Sequence, residues 1–139
     1  MKEKYIGREL KKLSNKIHRE IDKFASKSEL TGAEGRVLHF LLGHEESLFQ
    51  KDIEVELGLR SSTATEILKK MEKDNLIIRK PMPNDGRLKK IIVTEKARLY
   101  KEIVIKDLKN FEKKLGAGLT EEELDLFFKV IDKMINNLS

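Results

Sequence analysis

The chain has 139 residues, 39% hydrophobic and 38% charged, with no cysteine and 29 Lys+Arg against 24 Asp+Glu, a net charge of +5. That length supports a single domain with a buried core, or one compact domain with an appended element, and the apolar fraction is too high for a disordered chain. Without cysteine there is no disulfide framework, thiolate metal site or cysteine redox switch; with no apolar run beyond three residues and none after Met1-Lys2-Glu3-Lys4, neither a spanning helix nor a secretory signal is expected, and the expected setting is the cytoplasm.

Residues 6–24 predict an amphipathic helix, because Ile6, Leu10, Leu13, Ile17, Ile21 and Phe24 form one apolar stripe at spacings of three and four. Its many Lys and Arg residues fall largely between those positions, on the solvent side. Thr31-Gly32-Ala33-Glu34 has the form of a capping box. It opens a second helix that carries Val37, Leu38, Leu41 and Leu42 to a stop near Gly43. A third, short helix over 50–57 turns Ile53 and Leu57 inward. Gly58-Leu59 breaks the chain, and Ser61 or Ser62 is placed to cap a fourth helix with Ala64, Ile67, Leu68 and Met71 on one face. Asn75 stands where a left-handed helix end is wanted.

Two short strands follow, Leu76 to Lys80 and Leu88 to Val93. The intervening Pro81-Met82-Pro83-Asn84-Asp85-Gly86-Arg87 is too long and proline-rich for a tight hairpin and reads as a projecting loop. From Thr94 a continuous helix is expected to about residue 115. After Gly116-Ala117-Gly118, a second capping box at Thr120-Glu121-Glu122-Glu123 opens the last helix, with Leu124, Phe127, Phe128, Ile131, Ile135 and Leu138 along it. The first helix and the last two have no layer in sequence to cover their stripes, so a second copy of the chain is the economical partner.

Charge is unevenly distributed. Residues 1–28 carry a net of +5, 29–59 carry −5, and 60–90 again carry +5, from nine basic and four acidic groups. The two basic blocks are equal, so local geometry has to separate them. In the second block, two helices joined by a Gly turn describe a helix-turn-helix. The second of them begins Ser61-Ser62-Thr63-Ala64-Thr65. Short hydroxyl side chains and free backbone N–H groups at a helix start suit phosphates and a close approach to DNA. Arg60, Lys69, Lys70 and Lys73 add charge along that helix. Arg87, with Lys89 and Lys90 behind it, makes a thin basic wing of the right shape for a minor groove.

The block from Ile53 to Ala97 resembles the winged helix-turn-helix of the MarR family of bacterial transcriptional regulators. The resemblance is carried by Gly58-Leu59-Arg60-Ser61-Ser62-Thr63-Ala64-Thr65, by Leu76-Ile77-x-Arg79 and by Val93-Thr94-Glu95-Lys96-Ala97. Its most specific signal is Asp85-Gly86-Arg87, with the Arg seven residues before the Thr that opens a helix. It implies a mainly α (α+β) fold: a winged helix-turn-helix over residues 31–94, flanked by a dimerisation helix over 1–30 and C-terminal dimerisation helices over 95–139. It further implies a homodimer on a pseudo-palindromic operator in double-stranded DNA, acting as a repressor released by a small effector, with an aromatic or anionic molecule favoured. Ser61, Ser62, Thr63 and Thr65 would enter the major groove and Arg87 the minor groove. Asp85 would hold Arg87 or the wing backbone, while Lys89 and Lys90 meet phosphates.

Three positions depart from the family pattern. Arg60 stands where a Ser cap is frequent, which suggests a helix start one residue later. Glu66 stands where a basic residue is common, and is either turned away or accepts from a cytosine N4. Ala97 replaces a frequent Gly. Arg79 remains open between a strand-edge charge and a phosphate contact.

Other functions find less support. His18, His39 and His44 are expected as structural histidines, although His18 and His39 could face the effector cleft, and no metal site or cofactor is expected. His44-Glu45-Glu46-Ser47-Leu48 is not a zinc-hydrolase motif, and no phosphate-binding Gly loop or nucleophile elbow occurs, so no catalytic residue is assigned. The alternative reading is a winged-helix protein-interaction adaptor without specific DNA binding; the basic wing beside a hydroxyl-rich helix start argues against it.

Overall fold

The computed structural model describes residues 3–25, 30–44 and 48–139, without the side chains of Phe24 and Ala25. The stripe position of Phe24, the Met1-Lys2 start and Glu45-Glu46-Ser47 therefore lie outside the described residues. The elements run α1 (Ile6–Ala25), α2 (Gly32–Leu42), α3 (Gln50–Leu57), α4 (Ser61–Lys73), β1 (Ile77–Met82), β2 (Asp85–Val93), α5 (Glu95–Arg98), α6 (Lys101–Leu115) and α7 (Glu121–Asn137). Residues 1–108 and 109–139 form two compact units.

The core of the first unit is built where α2, α3, α4 and the β-ribbon converge. Leu38, Ile53, Leu68 and Met71 are fully enclosed there, with Leu76, Ile77 and Ile91 beside them. α2 starts on the expected capping box: Thr31 Oγ1 accepts from the Glu34 N–H and Glu34 Oε1 from the Thr31 N–H, both at 3.1 Å. Gly32, just inside that box, lies so close to α1 that a Cβ there would stand 2.7 Å from Ile21 Cγ2 and from Asp22 Oδ1. Only glycine lets the two helices approach in this way. α3 ends on Gly58 in the left-handed region (φ 62°, ψ 39°), and the Leu59 N–H reaches back to the Glu54 carbonyl at 2.9 Å.

α4 begins at Ser61, with Arg60 as its N-terminal cap residue and no side chain accepting from the first turn. This corrects both the expected serine cap and the expected later start. At the other end Asn75 takes φ 61°. The Leu76 N–H donates to the Met71 carbonyl (2.8 Å) and the Asn75 N–H to the Glu72 carbonyl (3.0 Å). That pair of bonds is a Schellman closure, with buried Leu76 against buried Met71 as its apolar clasp. Leu76 is thus part of the helix end rather than the first residue of a strand.

The wing is tighter than its sequence suggests. β1 and β2 pair antiparallel from Ile77–Val93 to Pro81–Lys89, and the register then jumps to Met82–Asp85. Only Pro83 and Asn84 lie between the strands, which corrects the expected seven-residue loop. Pro81 has no N–H to add to the ladder, and the register break beside it leaves Gly86, Arg87 and Leu88 without opposite residues. An isolated bridge, in which the Ile91 N–H donates to the Leu48 carbonyl at 2.8 Å, ties the segment before α3 to the ribbon.

The helix expected from Thr94 to 115 is interrupted. At Leu99 and Tyr100 the N–H groups bond three residues back, to Lys96 (3.2 Å) and Ala97 (3.0 Å), so a 3₁₀-type turn separates α5 from α6. Its stripe is also not left bare, as expected, for lack of a covering layer: Ala97 and Val104 join the core, and Tyr100 and Leu108 pack against it. α1 does leave Ile6, Leu10 and Leu13 exposed.

In the second unit Thr120 and Glu123 form the second expected capping box, at 2.9 and 3.1 Å. No residue of α7 is buried. Phe127 and Phe128 meet edge to face at 5.6 Å while both remain exposed, as do Leu126 and Ile135.

Candidate nucleic-acid interface

α4 turns Ala64, Leu68 and Met71 into the core, so its opposite side must face solvent. Arg60, Ser61, Ser62, Thr63, Glu66, Lys69 and Lys73 are exposed. Thr65 behaves differently from the three hydroxyl residues with which it was grouped. It is half-buried, its Oγ1 donates to the Ser61 carbonyl (2.8 Å) and accepts from Gln50 Nε2 (2.9 Å). The hydroxyl is committed within the helix-turn-helix and turned toward α3.

Two of the nine basic groups in residues 60–90 are neutralised. Lys70 Nζ donates to Asp74 Oδ2 (2.8 Å) and to Glu34 Oε1 (3.2 Å), so it joins α4 to the start of α2. Hydrogen bonding to Asp74, and then to Glu34, holds its ammonium above the usual lysine value, and the same Lys70 bond holds Asp74 below the usual carboxylate value. Arg79 Nε donates to Glu72 Oε1 (2.7 Å), which places this side chain as a structural strut between β1 and α4. The other seven (Arg60, Lys69, Lys73, Lys80, Arg87, Lys89 and Lys90) make no ion pair among the described residues.

At the wing tip Asp85 Oδ1 accepts the Arg87 backbone N–H at 3.0 Å, an Asx-type closure that shapes the unpaired stretch carrying Arg87. Arg87 and Lys89 are exposed. Arg87 also lines a hollow of about 140 Å³ with Gln50, Lys51, Arg79 and Lys89. Gln50, which bonds Ser61 and Thr65, thus stands between this hollow and the first turn of α4. Neither Gln50 nor Lys51 stands out in the sequence, since no local motif marks a side chain whose partners lie 11 and 15 residues away.

Lys90 is placed elsewhere. It is half-buried, directly opposite Lys80 in the ribbon. It lines a cavity of about 430 Å³ whose apolar wall includes Leu41, Leu48, Ile91 and Ile92 and whose other cations are Arg98 and Lys101. His44 is on the same wall, with its Nδ1 2.7 Å from the Phe40 carbonyl oxygen and its ring edge-on to Phe40. His18 and His39, the histidines considered for an effector cleft, are exposed and do not line it. Among the described residues no group of three or more His, Asp or Glu side chains converges on a point where a metal could be held, and no helix is long and apolar enough to cross a membrane.

Comparison with known proteins places this geometry. The model of the MarR family matches residues 28–88. The HTH-type transcriptional regulator YdgJ of Bacillus subtilis is 28% identical over 99 residues, which are 71% of this chain and 60% of that protein's length. The crystal structure of the transcription regulator MarR from Oenococcus oeni is 32% identical with a TM-score of 0.79, covering 95% of this chain and 99% of that one. The S. aureus MepR–DNA complex shares the fold at 24% identity, with a TM-score of 0.85 over 97% of this chain and 99% of that one.

Proposed function

The chain belongs to the MarR family of transcriptional regulators, and from that premise we propose that it binds double-stranded DNA as a cytoplasmic homodimer, reading a pseudo-palindromic operator with α4 and the wing and acting as a repressor. The observation that carries this reading is electrostatic. Seven cations of residues 60–90 are without an ion pair among the described residues; of these Arg60 is the cap residue of α4 and Lys69 lies on it, and Arg87 and Lys89 line the hollow beside Gln50, near a helix start whose Ser61, Ser62 and Thr63 hydroxyls are exposed. Unneutralised cations on a thin ribbon and a helix surface suit the phosphate backbone, and the exposed hydroxyls suit base edges and sugars. Arg87 is the residue proposed for the minor groove, with Lys89, Lys69 and Arg60 on phosphates. Asp85 serves through the Arg87 backbone. Arg79, bonded to Glu72, is left out of the interface.

The dimer is proposed from the stripes that the chain does not cover itself: Ile6, Leu10 and Leu13 on α1, and Phe127, Phe128 and Ile135 on α7, all exposed. Exposed apolar area of that extent favours burial against a second copy, with residues 1–30 and 95–139 as the dimerisation elements. A dyad then sets two α4 helices into successive major grooves roughly 34 Å apart.

The proposed effector is a small anion with an apolar body, held in the cavity beside Lys90. Lys80 and Lys90 face each other across the ribbon, and like charges directly opposite are unfavourable until an anion joins them. Such a ligand changes DNA affinity only by the difference in its own affinity for the bound and free forms.

The test is a salt titration of duplex binding. Affinity should fall steeply and linearly on logarithmic axes as counterions are released, and Arg87→Ala should weaken binding about tenfold or more, the scale of one lost groove contact. No binding at low salt, or an Arg87→Ala protein with unchanged affinity, would overturn the reading.

A further inference from the structure

The start of α4 lacks the device that normally secures a helix N-terminus. Its cap residue, Arg60, offers no side-chain acceptor, so the first turn would fray if left to itself. The first residue of α3 leaves the N–H groups of that turn uncapped and holds the turn instead through its acceptors. Gln50 Nε2 lies 2.9 Å from Thr65 Oγ1, 3.1 Å from Glu54 Oε2 and 3.2 Å from the Ser61 carbonyl. The amide orientation follows from its surroundings: of those three partners only the Thr65 hydroxyl has a proton to donate, so Oε1 in that place would face a carboxylate and a carbonyl. The Thr65 proton is already given to the Ser61 carbonyl at 2.8 Å, which leaves its oxygen to accept from the amide. With two amide protons for three acceptors, one N–H is shared between two of them, and every donor in the set points at an acceptor. Gln50 itself is on a secured base, since the Phe49 N–H before it donates to Asp52 Oδ2 at 2.8 Å.

We infer that Gln50 is a positioning residue for operator reading: through Thr65 and the Ser61 carbonyl it sets the first turn of α4 against α3, so that Ser61, Ser62 and Thr63 discriminate bases while Thr65 makes no base contact. The inference rests on the DNA-binding reading above. Phosphate contacts tolerate a small rotation of the helix start, because charge attraction varies slowly with distance. Base-edge hydrogen bonds do not. Losing the latch should therefore lower specificity and spare nonspecific binding.

The experiment uses the full-length protein, a duplex selected by the wild type from a randomised pool, and an unrelated duplex of equal length. Gln50→Ala should weaken binding to the selected duplex about tenfold, with affinity for the unrelated duplex within about twofold and the salt slope unchanged. Thr65→Val, which keeps the shape and removes the hydroxyl, should do the same. Thr65→Ser, which keeps the hydroxyl, should bind as the wild type does. The double variant Gln50→Ala with Thr65→Val should be no weaker than either alone, since both break one set of bonds. Equal losses on both duplexes would overturn the inference, because that outcome marks a phosphate contact or a folding defect. Equal losses for Thr65→Ser and Thr65→Val would also overturn it. Wild-type protein that binds no duplex at low salt overturns the DNA-binding reading and this inference together, whereas wild-type binding with normal specificity in Gln50→Ala overturns this inference alone.

Discussion

The two ends of α4 are built on opposite plans. The C-terminal end is closed by bonds of its own chain: the Schellman pair at Asn75 and Leu76, the Lys70 bridge to Glu34 and Asp74, and Lys96 Nζ on the Asp74 carbonyl at 2.8 Å. The N-terminal end has no side-chain cap and three exposed hydroxyl residues, and is held by Gln50 from α3. Backbone N–H groups left without side-chain acceptors are available to an anion, so the weaker end is the one suited to a ligand. A helix anchored at one end and open at the other can present its first turn without giving up its place in the core.

That asymmetry is open to measurement, and the largest effect should come from the anchored end. Glu34→Ala removes the acceptor for the Thr31 N–H, empties a fully buried site and releases Lys70, so unfolding free energy should fall by about 2 kcal/mol in urea titrations. Half of the Lys70 side chain is solvent-exposed, and the ion pair itself contributes the smaller part of that figure. A midpoint within error of the wild type would mean that the α2–α4 anchor does not hold.

Asn75→Ala should cost about 1 kcal/mol, because alanine at φ 61° meets the Cβ–carbonyl clash that asparagine and glycine tolerate better. Asn75→Gly should be neutral or slightly stabilising, and equal losses for both substitutions would point to a side-chain contact instead. At the open end, Arg60→Asp supplies the missing acceptor and a charge that suits the helix dipole. Thermal unfolding should report a gain of about 0.5 kcal/mol. The same substitution should weaken binding to duplex, separating stability from function at one residue.

The smallest effect is on pH dependence. Asp74 is held below its ordinary 3.8 by the Lys70 hydrogen bond, so it adds stability above that value and loses it as pH falls through the lowered one. Lys70 is held above 10.5, first by Asp74 and then by Glu34, so its share is complete below 10.5 and disappears as pH rises through the raised value. Stability should stay level between these limits as far as this pair is concerned. Lys70→Met should flatten both limbs, and unchanged limbs would show that the pair does not control them.

Much of the architecture is legible in the sequence, for a physical reason that particular elements make plain. The boxes at Thr31–Glu34 and Thr120–Glu123, the left-handed Asn75 and the inward face Ala64, Leu68, Met71 all rest on partners within four residues of one another, or on one residue's own backbone preference. Near-neighbour spacing in sequence is nearly spacing in space for a helix. The wing misled because a proline-rich run resembles a loop, while the register break beside Pro81 lets the strands continue to a two-residue turn. The inward bonding of Thr65 is not legible in the sequence, because its hydroxyl is indistinguishable there from those of Ser61, Ser62 and Thr63. Gln50, fifteen residues away, is what turns it inward.

Composition and pattern were sufficient for the helix count in outline, the winged helix-turn-helix and the basic character of residues 60–90. Those features follow from local propensity, apolar period and the sign of side-chain charge, all carried by short stretches of chain. Folding sorted the nine cations into two bonded and seven without an ion pair among the described residues, separated Thr65 from its neighbours, and set Lys90 on a cavity wall. Those outcomes depend on which side chains meet, at separations of up to 36 residues in sequence. A charge acquires its role only once the chain has determined what stands next to it.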